Sequence, residues 1–332
     1  MRTVNLVQIA QAFGGAARSE SHYKRLQRLF RTFELDFDRV ARFVAALVAV
    51  QRFALTMDRT NWKIGRVDIN LLVVGIAYKG TAFPLLWMTL PKRGNSNTAE
   101  RMSIVSRCVR LFGKERIRCL LADREFVGAE WFSYLLEQQI LMRIRIKNNT
   151  KVASARGRKV AARNLFRDLR PGQCKVLAGK RDLWGHALFI VGLKMEDGDF
   201  LIVATQAVPE TALSDYAERW EIETLFGCLK SRGLNFEATR MTEYDRIEKL
   251  LAFLAIAFSW AHITGEWLHA RKPIEVKKRG RPARSIFRYG LDHLRHCLLN
   301  KNDRSQMSAL AEATRHLARK LRRGLALTPV PA

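Results

Sequence analysis

The sequence contains few cysteines, and none is arranged for a disulfide framework or a zinc site. Its five cysteines are scattered over 332 residues without a C-x-x-C pair. An odd number of dispersed cysteines is typical of reduced thiols. A Walker loop, zinc-ligand spacing and a recognisable Ser-His-Asp arrangement are also missing. These absences argue against the commonest nucleotide-binding, zinc and serine-nucleophile classes, and they predict a cytoplasmic protein.

Long hydrophobic runs are absent as well. The longest apolar run, Leu250 to Ala261, is shorter than the roughly 18 residues that span a bilayer. The opening residues are too polar and too short for a signal segment. We therefore expect no membrane span, and we read the run as a buried helix of a globular protein.

Acidic residues are scarce relative to basic ones. The chain has 31 Asp and Glu against 58 Lys and Arg, which gives a formal net charge of +27. Such an excess repels itself in the compact state unless a polyanion binds it. Nucleic acid is the leading candidate, because phosphate contacts need clustered Lys and Arg. An anionic membrane surface is the weaker alternative.

The segment YAERWEIETLFGCLK, residues 216–230, has two distinct faces if it is helical. Four reactive side chains fall within an arc of roughly 60°: Tyr216, Arg219, Glu223 and Lys230. The apolar side chains gather on the opposite side: Ile222, Leu225 and Leu229. The pattern fits a core-facing helix with a carboxylate and cations lined up for a site. It equally fits an ordinary amphipathic helix with a solvated charged face.

Two aspartates follow buried strand patterns elsewhere in the chain. Asp58 ends the apolar run Phe53 to Met57, and Asp123 comes directly after Leu120, Leu121 and Ala122. Open α/β sheets place their sites at the carboxyl ends of strands. Together with Glu223, these residues would supply three carboxylates for divalent metal. The alternative is that both aspartates only cap loops.

These residues together resemble the DDE transposases of bacterial insertion sequences, specifically the IS-four type. The four helix residues fit the Y-x2-R-x3-E-x6-K signature of that family without a gap, and Asp123 stands in the string DREF. The segment LPKRGNSNTAER, Leu90 to Arg101, is similar to the family's stretch between the first two acids. The resemblance covers residues 50–265.

The pattern of elements predicts an RNase H-like α/β fold, a mixed five-stranded sheet with flanking helices. The five core strands are predicted at Arg52 to Met57, Asn70 to Ala77, Ala82 to Leu90, Ile117 to Ala122 and Phe200 to Ala204. One hundred positions separate Asp123 from Glu223, too many for one βα connection. A β-rich insertion, residues 140–198, is predicted to fill that gap before the last catalytic helix.

The remaining organisation follows from composition. Residues 1–50 are predicted to be helical, with Ser19 to Thr32 as either a DNA-binding unit or a lid on the main domain. The catalytic domain is predicted at 51–265. Residues 266–332 are predicted to form a basic helical tail. Within that tail Arg279 and Arg281 flank Gly280 in a pattern similar to an AT-hook core, and the alternative is a solvated basic linker.

The resemblance implies a two-metal site. Mg²⁺, with Mn²⁺ as a substitute, would be held as two ions by Asp58, Asp123 and Glu223. Tyr216, Arg219 and Lys230 would then contact DNA phosphates. The family also implies double-stranded DNA as the partner, as terminal inverted repeats and as target, and a homodimer in the synaptic complex.

Some members of the family pass through a hairpin in which a tryptophan stacks on a flipped base. Trp184 and Trp62 are the candidates here, although a buried structural role is the alternative for both. Two rival functions remain open at this stage. One is a metal-dependent site-specific nuclease without strand transfer, and the other is a DNA-binding regulator that does not cut.

Overall fold

The computed structural model describes residues 3–327, which form ten helices and eleven strands around one large sheet. The helices are α1 (Leu6–Gln11), α2 (Ser19–Thr32), α3 (Phe37–Val48), α4 (Thr98–Phe112), α5 (Ala129–Glu137), α6 (Ala212–Ala217), α7 (Glu221–Leu229), α8 (Tyr244–Arg271), α9 (Ile286–Leu299) and α10 (Arg304–Ala326). The strands are β1 (Phe53–Ile64), β2 (Val67–Tyr78), β3 (Thr81–Thr89), β4 (Ile117–Ala122), β5 (Met142–Ile146), β6 (Lys151–Ala153), β7 (Lys159–Ala161), β8 (Cys174–Val176), β9 (Arg181–Leu183), β10 (His186–Lys194) and β11 (Phe200–Thr205).

The first five strands of the sheet have the mixed RNase H-like arrangement. Their spatial order is β3-β2-β1-β4-β5. β1, β2 and β3 are successive antiparallel neighbours, whereas β4 is parallel to β1 and β5 is parallel to β4. The turn at Lys79 and Gly80 joins β2 to β3, and both residues have positive φ, as a tight two-residue hairpin requires. The predicted α/β class and the antiparallel pairing of these two strands are confirmed.

The sheet is longer than the predicted five strands. β5 occupies the fifth position, where residues 200–204 were expected, and β11 pairs antiparallel to β5. β10 and β8 continue the same sheet. The side chains of Met142, Ile144 and Ile146, which share one face of β5, are fully buried, and β5 lies between β4 and β11 in the sheet. Three strands of the predicted insertion, β5, β8 and β10, therefore extend the core sheet, whereas β6 and β7 pair with each other in a separate two-stranded sheet.

The predicted buried helix is α8, which is longer than the sequence pattern indicated. By length and composition α8 passes as a membrane-spanning helix, but 67% of its most apolar stretch is buried inside the fold. Ile247, Leu251 and Phe258 are among its buried side chains. α8 is therefore a helix of the hydrophobic core, as the sequence pattern predicted.

Glycines bring the C-terminal helices into backbone contact with the rest of the chain. A Cβ atom on Gly265 of α8 would overlap Ile286, and one on Gly290 of α9 would overlap the carbonyl oxygen of Ala261. Gly324 of α10 lies in the same way against Ala46 of α3. α9 and α10 therefore pack on α8 and α3 and complete the core.

This close packing predicts that a glycine-to-alanine substitution changes stability differently at two helical positions. Gly290→Ala should lower the free energy of unfolding by about 2–3 kcal/mol, because the methyl group collides with rigid backbone. Gly227→Ala in α7 meets only the flexible side chain of Arg232, at 3.1 Å. It should leave stability unchanged or raise it by up to about 1 kcal/mol. Urea unfolding of both variants measures the difference, and equal effects would contradict the packing described.

Candidate active site

Asp58 and Asp123 lie next to each other at one edge of the parallel strand pair. Met57 in β1 is in register with Ala122 in β4, so the aspartates that follow them occupy neighbouring positions. β4 ends at this point, but β1 continues to Ile64 because it stays paired with β2, with Asp58 opposite Val73. The sheet thus brings together two acids that are 65 residues apart in sequence.

Asp58 is held in a largely buried position. Burial raises its pKa to about 6, although a hydrogen bond from the backbone N–H of Arg59 and the charge of Arg219 both act in the opposite direction. The Arg59 N–H lies 2.7 Å from Asp58 Oδ1. Glu125 and Asp123 add negative charge nearby and raise the pKa further. The positive charge near this carboxylate therefore compensates its burial only in part.

Arg219 connects Asp58 with Glu223. Its Nη1 donates to Asp58 Oδ2 at 3.3 Å, and its Nη2 donates to Glu223 Oε1 at 2.8 Å. The residue is 2% exposed, and its guanidinium lies 4.5 Å from the ring of Trp220. One buried cation therefore bridges the first and third of the predicted acids.

Tyr216 connects the same segment with Asp123. Its hydroxyl donates to Asp123 Oδ1 at 3.3 Å. Burial raises the pKa of Tyr216 far above its usual value, so the phenol stays protonated as a donor. Arg145 of β5 lies 3.9 Å from the same carboxylate oxygen. All three predicted acids are therefore linked, through Tyr216 and Arg219, to one short stretch of chain.

That stretch is divided into helical segments, where a single helix was predicted. α6 ends at Ala217, Glu218–Trp220 forms a tight turn of 3₁₀-helix, and α7 begins at Glu221. The division leaves the faces as predicted, with Ile222, Leu225 and Leu229 buried. Lys230 lies just beyond α7, at the far end of the stretch from Tyr216.

Lys230 is engaged by other groups. Its Nζ pairs with Glu237 at 2.8 Å, and it also lies 3.5 Å from the carbonyl oxygen of Asn61. The ammonium is 5.7 Å from the centre of the Trp62 ring. Lys230 therefore flanks the β1 side of the site without contacting the acids directly.

Two arginines that sequence reasoning missed fix the orientation of α6. Arg118 of β4 binds Asp215 at 2.7 Å, and the fully buried Arg143 of β5 binds the other oxygen of Asp215 at 3.0 Å. Because Asp215 directly precedes Tyr216, these ion pairs place the tyrosine against Asp123. The available signal was arginine inside two largely apolar strands, one in β4 and two in β5, a costly position unless the charge is paired.

The loops around the acids are held by a second polar network that was also missed. Arg59 pairs with Glu125 at 3.1 Å and donates to Asn70 and Asn95. The buried Arg101 donates to backbone oxygens of Ser96, Glu125 and Val127. The segment similar to the family stretch between the first two acids is thereby tied to the DREF loop, which follows β4.

The tryptophans differ in their access to solvent. Trp62 is 9% exposed and packs against Phe236, so a base would reach its ring only after a rearrangement. Trp184 is half-buried at the tip of the β9–β10 hairpin, with its ring 5.3 Å from Phe132. Trp220, which sequence reasoning passed over, is 54% exposed and adjoins Arg219. Its position one residue after the signature arginine was the overlooked signal.

Arg279 and Arg281 lie in a turn rather than in an extended segment. Val276 and Pro282 form an antiparallel bridge, and the Lys277 N–H donates to the carbonyl oxygen of Arg281. Both arginines are exposed. Gly280 has a φ of +71°, which the tight turn requires. The segment therefore presents its cations at the tip of a small hairpin, far along the chain from the acids.

The fold and this cluster define the class of the protein: an RNase H-like domain with two neighbouring strand aspartates and a helical glutamate. The chain belongs to the transposase DDE domain family, whose family model matches residues 21–260. This match covers well over half of the chain and includes all three acids. The predicted assignment to the DDE transposases is confirmed at this level.

Two further comparisons were made. No curated protein matches the chain. Among solved structures, the chain is similar to a piggyBac transposase in a synaptic complex with hairpin DNA, with 13% sequence identity and a TM-score of 0.41. That similarity covers 84% of this chain and 58% of the piggyBac chain, so this chain spans less than two thirds of the relative's length.

The burial of Arg219 predicts a stability effect that an exposed pair does not share. Arg219→Met should lower the free energy of unfolding by about 3–5 kcal/mol in the absence of metal, because two acids lose their buried counter-charge. The matched control is Arg93→Met, whose partner is Asp68 and whose side chain is 75% exposed. It should change stability by less than about 1 kcal/mol. A small effect of Arg219→Met in chemical unfolding would refute the bridge.

Proposed function

We propose that the protein is a transposase of the bacterial insertion-sequence, IS-four type, which cuts DNA at the ends of its element and joins the 3′-hydroxyls to target DNA. The observation that carries this proposal is the arrangement of the acids. Asp58 and Asp123 follow residues in register on parallel strands, and Glu223 shares the guanidinium of Arg219 with Asp58. Family membership supports the same assignment.

The residues present fit a pair of Mg²⁺ or Mn²⁺ ions by their chemistry. Asp58, Asp123 and Glu223 offer only carboxylate oxygens, the ligands these cations prefer, and Asp58 is buried without full charge compensation. Among residues 3–327 no three acidic, His or Cys side chains form a group that could hold a metal ion as they stand, and Arg219 contacts both Asp58 and Glu223. When bound, two ions would activate the attacking oxygen and stabilise the leaving one.

The surrounding residues have separate roles in this proposal. Arg219 neutralises the acids in the metal-free protein and, once released from them, donates to an oxygen of the scissile phosphate. Tyr216 holds Asp123 by its hydroxyl, and Arg118 and Arg143 keep Tyr216 in place through Asp215. Lys230 supports the DNA strand that passes along β1.

DNA would contact the protein beyond the acids as well. Arg279 and Arg281 lie at an exposed hairpin tip, which suits insertion of cations into a minor groove. Trp220 offers an exposed ring beside Arg219, so it joins Trp184 as a candidate for stacking on a flipped base. The duplex ends would be terminal inverted repeats, held by a homodimer in the bacterial cytoplasm.

The assignment of the acids predicts loss of cutting without loss of DNA binding. Asp58→Asn, Asp123→Asn and Glu223→Gln should each lower Mg²⁺-dependent cleavage of an element end by several orders of magnitude. The matched control is Glu221→Gln, two positions from Glu223, where the side chain accepts from the Gly80 N–H at 2.8 Å. It should keep near-normal cleavage. Full cleavage by the three site variants would reject the assignment.

Supplying pre-nicked ends together with a target plasmid separates the transposase from its rivals. A transposase joins the ends to the plasmid, and joined products are resolved on an agarose gel. A site-specific nuclease would cut intact ends but form no joined product. A regulator would bind the ends and do neither. Joined products that persist in Asp58→Asn would place the chemistry elsewhere.

A further inference from the structure

A basic cleft lies at the β2–β3 turn, away from the acids, which lie beside the middle of β2. It has a volume of about 940 Å³ and is enclosed by the end of α3, the β2–β3 turn, α8 and α10. Lys79 in the turn is six residues along the chain from Val73, the partner of Asp58 in the sheet, which corresponds to roughly 20 Å of extended strand. We call this feature the distal cleft.

Positive charge in the distal cleft exceeds what its acid can neutralise. Lys79 and Lys320 both pair with Glu266, at 3.1 and 2.8 Å. Although burial alone would raise the pKa of Glu266, the hydrogen bond from Lys320 leaves it below its usual value, so the carboxylate is ionised. Five basic side chains line the cleft alongside this single acid: Lys79, Arg271, Arg319, Lys320 and Arg323.

On one wall of the distal cleft, Arg271 is held by contacts with its neighbours. The guanidinium of Arg271 lies 4.3 Å from the centre of the Trp267 ring and pairs with Glu312 at 3.0 Å. The imidazole of His316 stacks with the same tryptophan. Because these contacts restrict the side chain, Arg271 loses little freedom when it accepts a partner.

α10 forms the other wall with a stripe of unneutralised arginines. Arg315, Arg319 and Arg323 are four residues apart and therefore share one face, and all three are exposed. Arg319 and Arg323 line the cleft, and Arg315 continues the stripe one helical turn beyond the lining. Within residues 3–327 no ion pair joins any of them to an acid, since the one acid of α10, Glu312, is bound by Arg271. Like charges at this spacing destabilise a helix, so an anion bound along the stripe would relieve their repulsion.

A stripe of this length fits a chain of phosphates better than a single small anion. From Arg315 to Arg323 the helix rises about 12 Å, over which one strand of duplex DNA presents three to four phosphates at roughly 3.4 Å of axial rise each. Lys79, in the β2–β3 turn, provides a further cation on the wall that faces α10. The charge of the cleft, the spacing of its arginines and its two-sided shape are thus all compatible with the phosphate backbone of duplex DNA.

We propose that the distal cleft binds the sugar–phosphate backbone of duplex DNA, as a contact separate from the one at the acids. The inference rests on the proposed function for the nature of the partner. It assigns a role to α10 and to the β2–β3 turn, which none of the predicted site residues touches. Its position, about 20 Å of strand from Asp58, allows it to hold DNA away from the point of cutting.

The test is DNA binding without metal. Fluorescence anisotropy with a labelled duplex of arbitrary sequence, in the presence of a chelator, gives the affinity at a series of salt concentrations. The triple variant Arg315→Gln, Arg319→Gln, Arg323→Gln should bind at least about tenfold more weakly, and the slope of log affinity against log salt should fall by about 3. Lys replacements at the same positions should restore most of the slope.

Two further variants make the result specific. Arg295→Gln, Lys301→Gln, Arg304→Gln removes the same charge from exposed positions on the same helical region outside the cleft, and it should leave the slope close to that of the unmodified protein. Lys79→Gln on the facing wall should lower the slope by about 1. Circular dichroism and thermal melting verify that each variant is folded.

An unchanged slope in both the arginine triple variant and Lys79→Gln would overturn the proposal that the distal cleft binds DNA, while leaving the proposed function intact. An equal loss in the control triple variant would also overturn it, because the effect would then reflect net charge alone. If the unmodified protein bound no duplex at any salt concentration, the proposed function itself would fail together with the cleft.

Discussion

The structure depends on how one buried cation links two acids beside the parallel strands of its central sheet. Arg219 is the decisive group, because it is almost fully buried and donates to both Asp58 and Glu223. Without it the burial of Asp58, which already raises the pKa of that carboxyl to about 6, would have no positive charge in contact. The same guanidinium attaches the turn between α6 and α7 to the sheet. Stability and the geometry of the site therefore share one interaction.

The remaining polar residues extend this constraint to the surrounding loops. Asp215 receives two arginines from neighbouring strands and so sets the direction of Tyr216. Arg59 and Arg101 hydrogen-bond to residues of the loops after β3 and β4 and hold these loops in place. Placing arginines in and beside a buried sheet is costly unless each is fully hydrogen-bonded. Here the partners are present, and each ion pair positions a residue beside the acids.

Charge is distributed unevenly over the molecule. Asp58 and Asp123 lie where β4 ends, whereas the β2–β3 turn borders a cleft lined by five cations and one acid. α10 contributes three of those cations and is held against α3 through Gly324, which leaves no room for a side chain. A net charge of +27 is thus partly organised into a defined surface. Such a surface fits a long polyanion better than a point ligand.

The sequence by itself determined the residue types of the site and the class of the fold. The strand pattern around Asp58 and Asp123 and the helical spacing of residues 216–230 were sufficient, because both depend on local periodicity and on a long mixed signature. Tertiary structure alone decided that β5 is the fifth strand of the sheet and that Arg219 bridges two acids. It also decided that Trp62 is buried, that Trp220 is exposed and that α10 lines a cleft. Each of these depends on contacts between residues far apart in the chain, and a one-dimensional pattern does not encode such distances.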